Sequence, residues 1–549
     1  MKRVTVIILF LSLLGFIFAS QNNYDFKNKE QNQKLKLLNF KGRFAPKLYE
    51  GALEIVNGAY ASNQNNAVVF PDTINNKAKA ETYKFNILIT PGAEGAGFVL
   101  LNKSEITNDS ICYKSENWEA PNFKNSFSVG FDVYNPQTSA IFDSFGNFYG
   151  REQREISLHW NNKEIYKICS PVEYRSDLMK ENLSQISLKI EYLTAGANIS
   201  LSVNDTLVIN NFFIPEMTQY EKIPIFGARS SDLTTSFYLT NFEYKTEGLF
   251  IPYKYLGKAQ ILKDEIFHAG RRDMSSQIKF ENYTKQADKA ILTLDLSGAP
   301  GGLSAWDVGA AVYLIDKDSV RHEICRFITP YNRAYIWKID ASDFLPLFSG
   351  KKGIFAKVDT WETTTEDPAK QKGWKLNCSV DFYKGNQGYK AFETKRLWSG
   401  YYEYGNPENP MQKMLPAFNI DVPKNAVKAK LRIVVTGHGM SPNSENAGEF
   451  RPSDRIVKIN GHEFKNLLWK TDCYLNPCRP QDGTWKFDRT GWAPGSIPFT
   501  WEIDISDLIQ KEKTLKLEYL PDNYINTNRG EHYPPHQWFE SEIIFYKKN

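Results

Sequence analysis

Short runs in which apolar and polar residues alternate dominate this 549-residue chain. Examples are KFNILIT, FSVGFDVYN, ISLHWN and ISLKIEYL, and such runs are separated by glycine, asparagine and proline. Successive side chains of a β-strand point to opposite faces of a sheet, so a period of two indicates strands with one buried face. Long amphipathic helical patterns are nearly absent after residue 20. The chain is therefore predicted to be all-β and built from antiparallel sandwiches.

Two pairs of segments in the second half of the chain resemble each other. ADKAILTLDLSG matches AVKAKLRIVVTG, and WKIDASDF matches WEIDISDL further along. The second pair is farther apart than the first, so the later copy has longer loops. This pattern predicts two tandem sandwiches of one design, at 257–385 and 386–549. Enlarged loops on a rigid scaffold are where binding residues collect.

The region at 21–246 has a strand rhythm of its own. Its segments FSVGFDVYNP, REISLHWN and IFGARSSDLTTSFYLTNFEY resemble the strands of concanavalin-like lectin sandwiches. We expect a lectin-like β-sandwich here, followed by a linker at 247–256.

Residues 1–20 read MKRVTVIILFLSLLGFIFAS, with a basic start, an apolar stretch and small residues at the end. This pattern is typical of a secretory signal peptide and predicts a secreted or periplasmic protein. An uncleaved anchor is the alternative. No second stretch of membrane length follows, so stable membrane insertion is not expected after cleavage.

Six cysteines in an exported chain suggest disulfides. Proximity favours a bridge between Cys473 and Cys478, and two local pairings complete the set: Cys112 with Cys169, and Cys325 with Cys378. Buried free thiols are the alternative.

The charge balance and the aromatic content of the chain limit the classes of partner that it is expected to bind. Lysine plus arginine number 67 against 63 acidic residues, and no dense basic run supplies a footprint for phosphates, so nucleic acid is not an expected partner. Aromatic residues make up 14% of the chain, which favours surfaces that stack on sugars.

LSAWDVGAAVYL, at 303–314, is predicted to be a strand with an acid near its start. Trp306 would begin an apolar row that alternates along the strand. Asp307 would lie on the opposite face, among small residues that leave a hollow beside its carboxylate and with Tyr313 as a wall. A carboxylate in a concave, partly dry site can exchange protons at neutral pH or act as a nucleophile. The alternative is a strand-edge acid bonded to nearby backbone.

Two further acids have suggestive neighbours. In GIFAKVDTWET, Asp359 and Trp361 share one strand face, an arrangement that binds sugars through ring stacking and hydroxyl hydrogen bonds. Glu449 lies in an enlarged loop, and Arg489 and Trp492 lie in a second one, WKFDRTGWAPG. An arginine there can hold a carboxylate or donate to a carbonyl oxygen.

Taken together, these segments resemble the peptide-N-glycosidase F family. The resembling stretches, in family order, are WDVGAAVYL, EICRFITPY, IDASDF with LFSG, VDTW, GHG, GEF before IVKING, and DRTGWAPG. The resemblance implies two adjacent jelly rolls with an active site in the cleft between them.

By the same resemblance, Asp307 matches the primary catalytic aspartate and Glu449 the glutamate that works through a water. Asp359 lies where the best-known member has a sugar-binding glutamate, and Arg489 matches the arginine of the substrate pocket. Trp361, His438 and Trp492 are expected to contact the substrate in the same cleft.

This sequence departs from the best-known member at several positions. Val308 replaces the arginine that follows the catalytic aspartate, Thr436 replaces the tryptophan before GH, and the two cysteines that flank the matched glutamate are missing around Glu449. Asp359 is one methylene shorter than the glutamate it replaces. These changes bear on glycan preference more than on the chemistry.

Histidine is a candidate metal ligand because copper monooxygenases have similar paired jelly rolls. His438 with Met440, or His532 with His536, would be the ligands, but no closed ligand set appears among the seven histidines. We expect no metal and no cofactor.

The sequence thus predicts a monomeric amidase that hydrolyses the bond between asparagine and the innermost N-acetylglucosamine of N-glycoproteins or glycopeptides. The products would be a glycosylamine and an aspartate. Two alternatives remain: a non-catalytic glycan-binding or adhesion protein, and a glycoside hydrolase that uses two of these carboxylates.

Overall fold

The computed structural model describes residues 21–59, 62–134, 141–142, 148–149, 154–176, 183–385, 388–439, 444–527 and 533–549. The expected signal peptide lies outside them. Two compact units divide the chain, Met1–Ala140 with Phe148–Pro252 and Ile141–Asn147 with Tyr253–Asn549. Among the described residues, no helix has the length and apolar character needed to cross a membrane.

The strands described before residue 248 are two to eleven residues long. They are β1 (Gln21–Asp25), β2 (Lys36–Lys41), β3 (Lys47–Tyr49), β4 (Ala52–Val56), β5 (Asn65–Val69), β6 (Ala80–Ile89), β7 (Glu94–Asn102), β8 (Phe127–Asp132), β9 (Ile141–Phe142), β10 (Phe148–Tyr149), β11 (Glu155–Trp160), β12 (Lys163–Cys169), β13 (Ser184–Leu193), β14 (Gly196–Val203), β15 (Thr206–Pro215), β16 (Lys222–Ser230) and β17 (Phe237–Glu247). One short helix, α1 (Lys29–Asn32), joins β1 to β2.

The first unit is a sandwich of two antiparallel sheets. One sheet has the order β15-β14-β13-β6-β17-β4-β3, with β1 also pairing with β17, and the other has the order β12-β11-β8-β7-β16-β5-β2. Aromatic rings fill the space between them: Phe226 lies 4.7 Å from Phe98 and 5.0 Å from Phe85, measured between ring centroids. The alternation seen in the sequence thus buries one face of each sheet in a shared core.

The second unit contains sixteen longer strands in two sets of eight. The first set is β18 (Lys254–Phe267), β19 (Asp273–Phe280), β20 (Lys289–Gly298), β21 (Gly309–Ile315), β22 (Arg321–Ile328), β23 (Tyr335–Asp340), β24 (Gly350–Val358) and β25 (Trp374–Lys384). The second set is β26 (Tyr389–Glu403), β27 (Phe418–Asp421), β28 (Lys428–His438), β29 (Ser453–Ile459), β30 (His462–Leu468), β31 (Thr500–Asp504), β32 (Thr514–Pro521) and β33 (His536–Lys548). Two short helices, α2 (Met411–Met414) and α3 (Ser506–Ile509), belong to the second set.

Short 3₁₀ turns complete the secondary structure of the described residues. They are Lys103–Glu105, Ser110–Tyr113, Asn282–Gln286, Ser342–Leu347, Pro368–Lys370 and Cys473–Leu475.

Both sets of eight strands have the same jelly-roll topology. In the first, the sheets run β18-β25-β20-β23 and β19-β24-β21-β22, and in the second they run β26-β33-β28-β31 and β27-β32-β29-β30. Each set thus joins its first, eighth, third and sixth strands in one sheet and its second, seventh, fourth and fifth in the other. The prediction of an all-β chain with two tandem jelly rolls is confirmed.

The repeated segments occupy equivalent positions in the two jelly rolls. ADKAILTLDLSG and AVKAKLRIVVTG contain the third strands, β20 and β28. WKIDASDF and WEIDISDL contain the ends of the sixth strands, β23 and β31, and the helical turns that follow them. The later copy has the longer connections, from His438 to Ser453 and from Leu468 to Thr500. Glu449 and Arg489 lie in these two connections.

The boundary between the units is slightly earlier than the sequence suggested. β17 ends at Glu247 and β18 begins at Lys254, so β18 starts inside the expected linker at 247–256.

Arg326 joins the two jelly rolls through contacts buried from solvent. Its Nη1 donates to the Trp538 carbonyl over 2.7 Å and to Thr436 Oγ1 over 3.1 Å, and its guanidinium lies 3.8 Å from the Trp538 ring centroid. Glu323 balances the charge, with 2.8 Å between its Oε2 and Arg326 Nη2. Glu323 and Arg326 lie on the same strand, so the ion pair neutralises the guanidinium within the first jelly roll, and the contacts with Thr436 and Trp538 join it to the second.

The expected disulfides Cys473–Cys478, Cys112–Cys169 and Cys325–Cys378 are not formed, since none of the six cysteines is joined to another in the structure. Cys473 Sγ lies 3.4 Å from the Trp492 carbonyl, whereas Cys478 Sγ lies 3.1 Å from the Gly495 carbonyl. The two thiols therefore donate to separate carbonyls instead of meeting. Burial raises the pKa of Cys473 to about 12, so this thiol stays protonated at neutral pH.

We predict that a fragment at 253–549 folds on its own, since it contains both jelly rolls and their cores. It should unfold in a cooperative thermal transition and retain the far-ultraviolet signature of β-structure. A fragment that stays unfolded would show that residues before 253 are required for the jelly rolls to form.

Candidate active site

A cavity of about 670 Å³ lies between the two jelly rolls, and all seven predicted site residues line it. The first jelly roll contributes Asp307, Asp359 and Trp361, and the second contributes His438, Glu449, Arg489 and Trp492. Other aromatic side chains complete the walls, namely Trp306, Tyr331, Tyr401, Phe450, Tyr533 and Trp538.

Asp307 precedes β21 instead of lying on it. Val308 begins the predicted apolar row, which is buried in the core of the first jelly roll through Leu314. Trp306 was expected in that row, and this was wrong: the strand begins at Gly309, and the Trp306 side chain is 47% exposed in the cleft. Thr329 holds the turn, since its Oγ1 accepts from Val308 N and donates to the Trp306 carbonyl.

The opposite face of β21 does not form a hollow. Ala311 and Tyr313 pack against Trp538 of the second jelly roll, which covers this face. A Cβ added to Gly309 would lie 3.0 Å from the Trp538 ring, so glycine permits the close approach. The small residues seen in the sequence thus serve the contact between jelly rolls, and the space beside Asp307 is the cleft itself.

Arg489 is the charged centre of the site. Its side chain is 1% exposed, and Nη1 lies 3.0 Å from Glu449 Oε2 and 3.4 Å from Asp307 Oδ2. Nη2 donates to the carbonyl and the hydroxyl of Thr484. All four hydrogens on the two Nη atoms are therefore engaged within the protein.

Aromatic rings shield this cation from water. The guanidinium carbon lies 4.4 Å from the Trp492 ring centroid and 4.9 Å from that of Phe450. In such surroundings charge interactions are stronger than in bulk water. Arg489 is therefore held to both carboxylates by a short, weakly screened attraction.

Both carboxylates have raised pKa values. Burial raises the pKa of Glu449 to about 7, with Arg489 opposing the rise and Asp307 adding to it. Burial likewise raises the pKa of Asp307, and Arg489 and a hydrogen bond from Tyr331 limit that rise. Two acids near one cation cannot both ionise as easily as either alone, so the group is suited to proton exchange near neutral pH.

Glycines bring the Glu449 loop against the end of β28. A Cβ on Gly437 would lie 1.9 Å from the Gly448 carbonyl, and one on Gly448 would lie 2.2 Å from the His438 carbonyl. A hydrogen bond stabilises this contact, because the Thr490 N–H donates to the Glu449 carbonyl over 2.8 Å. Only glycine lets the two loops meet closely enough to place Glu449 beside Arg489.

Asp359 and Trp361 were expected on one strand face, but β24 ends at Val358 and both residues follow it. The Asp359 carboxylate is 45% exposed and lies 2.9 Å from Lys357 Nζ. The Trp361 ring is 55% exposed and its centroid is 5.3 Å from that of Trp306. The two indoles form an open aromatic surface at the cleft entrance.

His438 forms an inner wall with aromatic rings. Its ring stacks on Trp492 at 5.5 Å and on Tyr401 at 6.0 Å, between centroids. Trp492 is buried, and its Nε1 donates to the Gly437 carbonyl over 2.6 Å. Burial and neighbouring cations lower the pKa of His438 to about 3, so its imidazole is neutral.

Sequence reasoning missed Tyr331, Tyr401 and Trp538. Tyr331 bonds both Asp307 and Thr484, while Tyr401 and Trp538 lie on strands β26 and β33. Tyr401 and Trp538 belong to ordinary alternating runs, so only their partners across the fold distinguish them from other strand aromatics.

Within the described parts of the chain, no group of three or more histidine, cysteine, aspartate or glutamate side chains could hold a metal ion. Met440 and His532 lie outside the described residues. His536 Nδ1 lies 2.6 Å from the Pro534 carbonyl, a backbone hydrogen bond.

Trp361→Ala should weaken substrate binding while leaving the fold intact, because the ring is largely exposed. The expected result is a higher KM, or a lower kcat/KM, with a nearly unchanged melting temperature. Trp374→Ala is the matched control: this indole is fully buried, and its loss should cost about 3–5 kcal/mol of stability. Comparable destabilisation by both changes would contradict a binding role for Trp361.

Glu449 should titrate near pH 7 instead of near its ordinary value of 4.5. Carbon-13 spectra of labelled side-chain carboxyl groups measure this midpoint. In Asp307→Asn the midpoint should fall, because the Asp307 charge raises the pKa of Glu449. A midpoint near 4.5 in the wild type, or no change in the variant, would contradict the coupling.

Part of this chain is similar to proteins of known function. Residues 407–537 match the family described as Peptide-N-glycosidase F, C terminal. Over 240 residues the chain is 28% identical to the peptide-N(4)-(N-acetyl-beta-D-glucosaminyl)asparagine amidase F of Elizabethkingia miricola. This match covers 40% of the chain and 64% of that relative.

Solved structures show weaker likeness. The PNGase F of Flavobacterium meningosepticum, a glycosylasparaginase, is 22% identical with a TM-score of 0.46, covering 53% of this chain and 96% of that one. The carbohydrate recognition domain of Emp46p is 13% identical with a TM-score of 0.29, covering 40% of this chain and 91% of that one. The match of residues 407–537 to this family agrees with the resemblance seen in the sequence.

Proposed function

We propose that this protein is an amidase that cleaves the bond between asparagine and the innermost N-acetylglucosamine of N-glycoproteins or glycopeptides. The observation that carries the proposal is the pair Asp307 and Glu449 on one buried arginine, inside an aromatic cleft. The family of residues 407–537 and the similarity to the Elizabethkingia amidase support the same reaction.

The reaction needs an attacking oxygen and a proton for the leaving nitrogen. In the proposed sequence, a water oxygen adds to the side-chain carbonyl carbon of the substrate asparagine. The carbon–nitrogen bond then breaks, and the nitrogen leaves with a proton as a glycosylamine, while the peptide keeps an aspartate. Asp307 takes the proton from the attacking water and passes it to the leaving nitrogen, and Glu449 positions the water. Burial raises the pKa of Asp307 above its ordinary value, which brings this carboxyl closer to the neutral pH at which it must take up and release the proton.

Arg489 acts on the carboxylates in this proposal. Its Nη hydrogens are all engaged by Asp307, Glu449 and Thr484, and Nε is buried with no hydrogen-bond partner among the described residues. No Nη hydrogen is left to bind the amide oxygen, and the unpartnered Nε–H is buried from solvent. Of the two roles that the sequence allowed for an arginine here, the geometry supports carboxylate stabilisation.

In this proposal, side chains at the cleft entrance bind the sugar. Exposed indoles stack on the C–H faces of pyranose rings, and an exposed carboxylate accepts hydrogen bonds from hydroxyl groups. Trp306, Trp361 and Asp359 present these groups on one side of the cleft. The N-acetylglucosamine next to the scissile bond would lie against them.

The proposed setting is extracellular or periplasmic, and the proposed unit is a monomer. The signal-like segment at 1–20 supports export. Each of the seven site residues comes from the same chain, so the cleft needs no second copy to be complete.

Asp307→Asn should abolish most activity, because it removes the charge and the proton acceptor while keeping the size of the side chain. Loss of positioned proton transfer lowers rates by roughly 10²–10⁴-fold. The measurement is the conversion of a glycopeptide's asparagine to aspartate by mass spectrometry, beside the thermal unfolding curve. Asp318→Asn, an exposed residue of the same jelly roll, makes the same charge change and should leave turnover intact.

Three outcomes would contradict the proposal in different ways. Wild-type turnover in a folded Asp307→Asn variant would move the chemistry to Glu449. A peptide that keeps one sugar on its asparagine would indicate a glycoside hydrolase. Glycan binding with no change in the peptide mass would indicate a binding protein.

A further inference from the structure

The Thr436 hydroxyl links a buried arginine of the first jelly roll to His438 in the cleft. Arg326 Nη1 donates to Thr436 Oγ1 over 3.1 Å, and Thr436 Oγ1 lies 2.8 Å from His438 Nε2. Arginine can only donate, so the threonine keeps its own hydrogen for another acceptor. Within the described part of the chain, the Thr436 side chain has no third hydrogen-bond partner, and His438 Nε2 is the acceptor that remains.

We propose that Arg326 and Thr436 fix His438 as the tautomer with its hydrogen on Nδ1, so that a neutral imidazole donates a hydrogen bond to a carbonyl oxygen of the substrate. In this arrangement Arg326 and Thr436 are positioning residues, and His438 is the residue that touches substrate. The identity of the acceptor rests on the proposed amidase function, whereas the tautomer rests on the hydrogen bonds alone.

The surroundings of His438 keep the ring neutral and oriented. Burial lowers the pKa of this imidazole, and the positive charges of Arg326 and Lys357 lower it further. Trp492 stacks on the ring with an interplanar angle of 23°, and Tyr401 does so at 19°. Stacked rings restrict rotation of the imidazole, so Nε2 stays on Thr436.

The neighbouring histidine on the next strand carries its hydrogen on the same ring atom but uses it within the protein. His536 is the register partner of His438 across β28 and β33. Its Nδ1 lies 2.6 Å from the Pro534 carbonyl, which can only accept, so the hydrogen is on Nδ1 and is consumed by the backbone. His536 therefore offers Nε2 as an acceptor, while His438 offers Nδ1–H as a donor, and both line the cleft.

An uncharged donor complements this site because the Nη hydrogens of its arginine are already engaged. Asp307, Glu449 and Thr484 engage every Nη hydrogen of Arg489. A carbonyl oxygen of the scissile amide or of the acetamido group requires a donor, and carboxylates provide none when ionised. Thr436 also stands where the best-known family member has a tryptophan, so this hydrogen-bond chain is a feature of this sequence.

Histidine-selective nitrogen-15 spectra of the full chain test the tautomer directly. The His438 signals are assigned by their loss in His438→Gln. We expect the wild type and Thr436→Ser to show the Nδ1–H pattern, and Thr436→Val to lose it in favour of Nε2–H or a mixture. His536 should show Nδ1–H in all of them and serves as the internal reference. An Nε2–H pattern for His438 in the wild type would overturn the proposal.

Steady-state kinetics test whether the Nδ1–H of His438 contributes to substrate binding or turnover. Thr436→Val should lower kcat/KM by roughly three- to tenfold, the range set by one neutral hydrogen bond, and Thr436→Ser should restore it. The fold should survive, because Arg326 Nη1 keeps its bond to the Trp538 carbonyl. Equal kcat/KM values for Thr436→Val and the wild type would overturn the assigned role.

The experiment on the His438 tautomer has a different outcome from a test of the amidase function, so the two proposals can fail separately. The nitrogen-15 pattern is read without substrate, so an Nδ1–H signal in a protein with no amidase activity would confirm the tautomer and overturn only the assigned acceptor.

Discussion

One buried guanidinium holds together acids that come from two different domains. Arg489 reaches Asp307 of the first jelly roll and Glu449 of the second through the same Nη1 atom. A buried charge without a partner is costly, so Arg489 and the two acids stabilise each other's charged forms, whereas the Asp307 charge opposes ionisation of Glu449. With two acids and one cation, the group keeps an excess negative charge, and burial converts that excess into raised carboxyl pKa values.

The rest of the second unit can be understood as the support that this group requires. The shared topology of the jelly rolls provides two rigid frames, and the long connections of the later copy carry Glu449 and Arg489 to the interface. Arg326 holds the two frames together through Trp538, which itself lines the cleft. Because the acids lie on different frames, a shift at this contact would separate Asp307 from Arg489.

Sequence reasoning predicted the strands and the repeat, and it named seven residues that the structure brings to one cleft. Alternation predicted the buried face of β24, but the strand ends at Val358, before Asp359 and Trp361. Taken alone, Asp307, Glu449 and Arg489 were each weak evidence for an active site, and the resemblance of the ordered segments to one family indicated that they act together.

Trp306 was assigned to the core because alternation does not reveal where a strand begins. The disulfides were inferred from spacing and export, whereas the thiols of Cys473 and Cys478 bond to separate carbonyls. Tyr401 and Trp538 gave no local signal, because their importance arises from contacts made only after the two jelly rolls pack.

The incorporation of water oxygen tests the amidase account most directly. A glycopeptide is treated with the wild-type protein in water enriched in oxygen-18, and the peptide product is examined by tandem mass spectrometry. The account predicts an aspartate at the former glycosylation site that carries one heavy oxygen in its side-chain carboxyl group, because water attacks the amide carbon. A peptide that retains asparagine, with or without a remaining sugar, would contradict it.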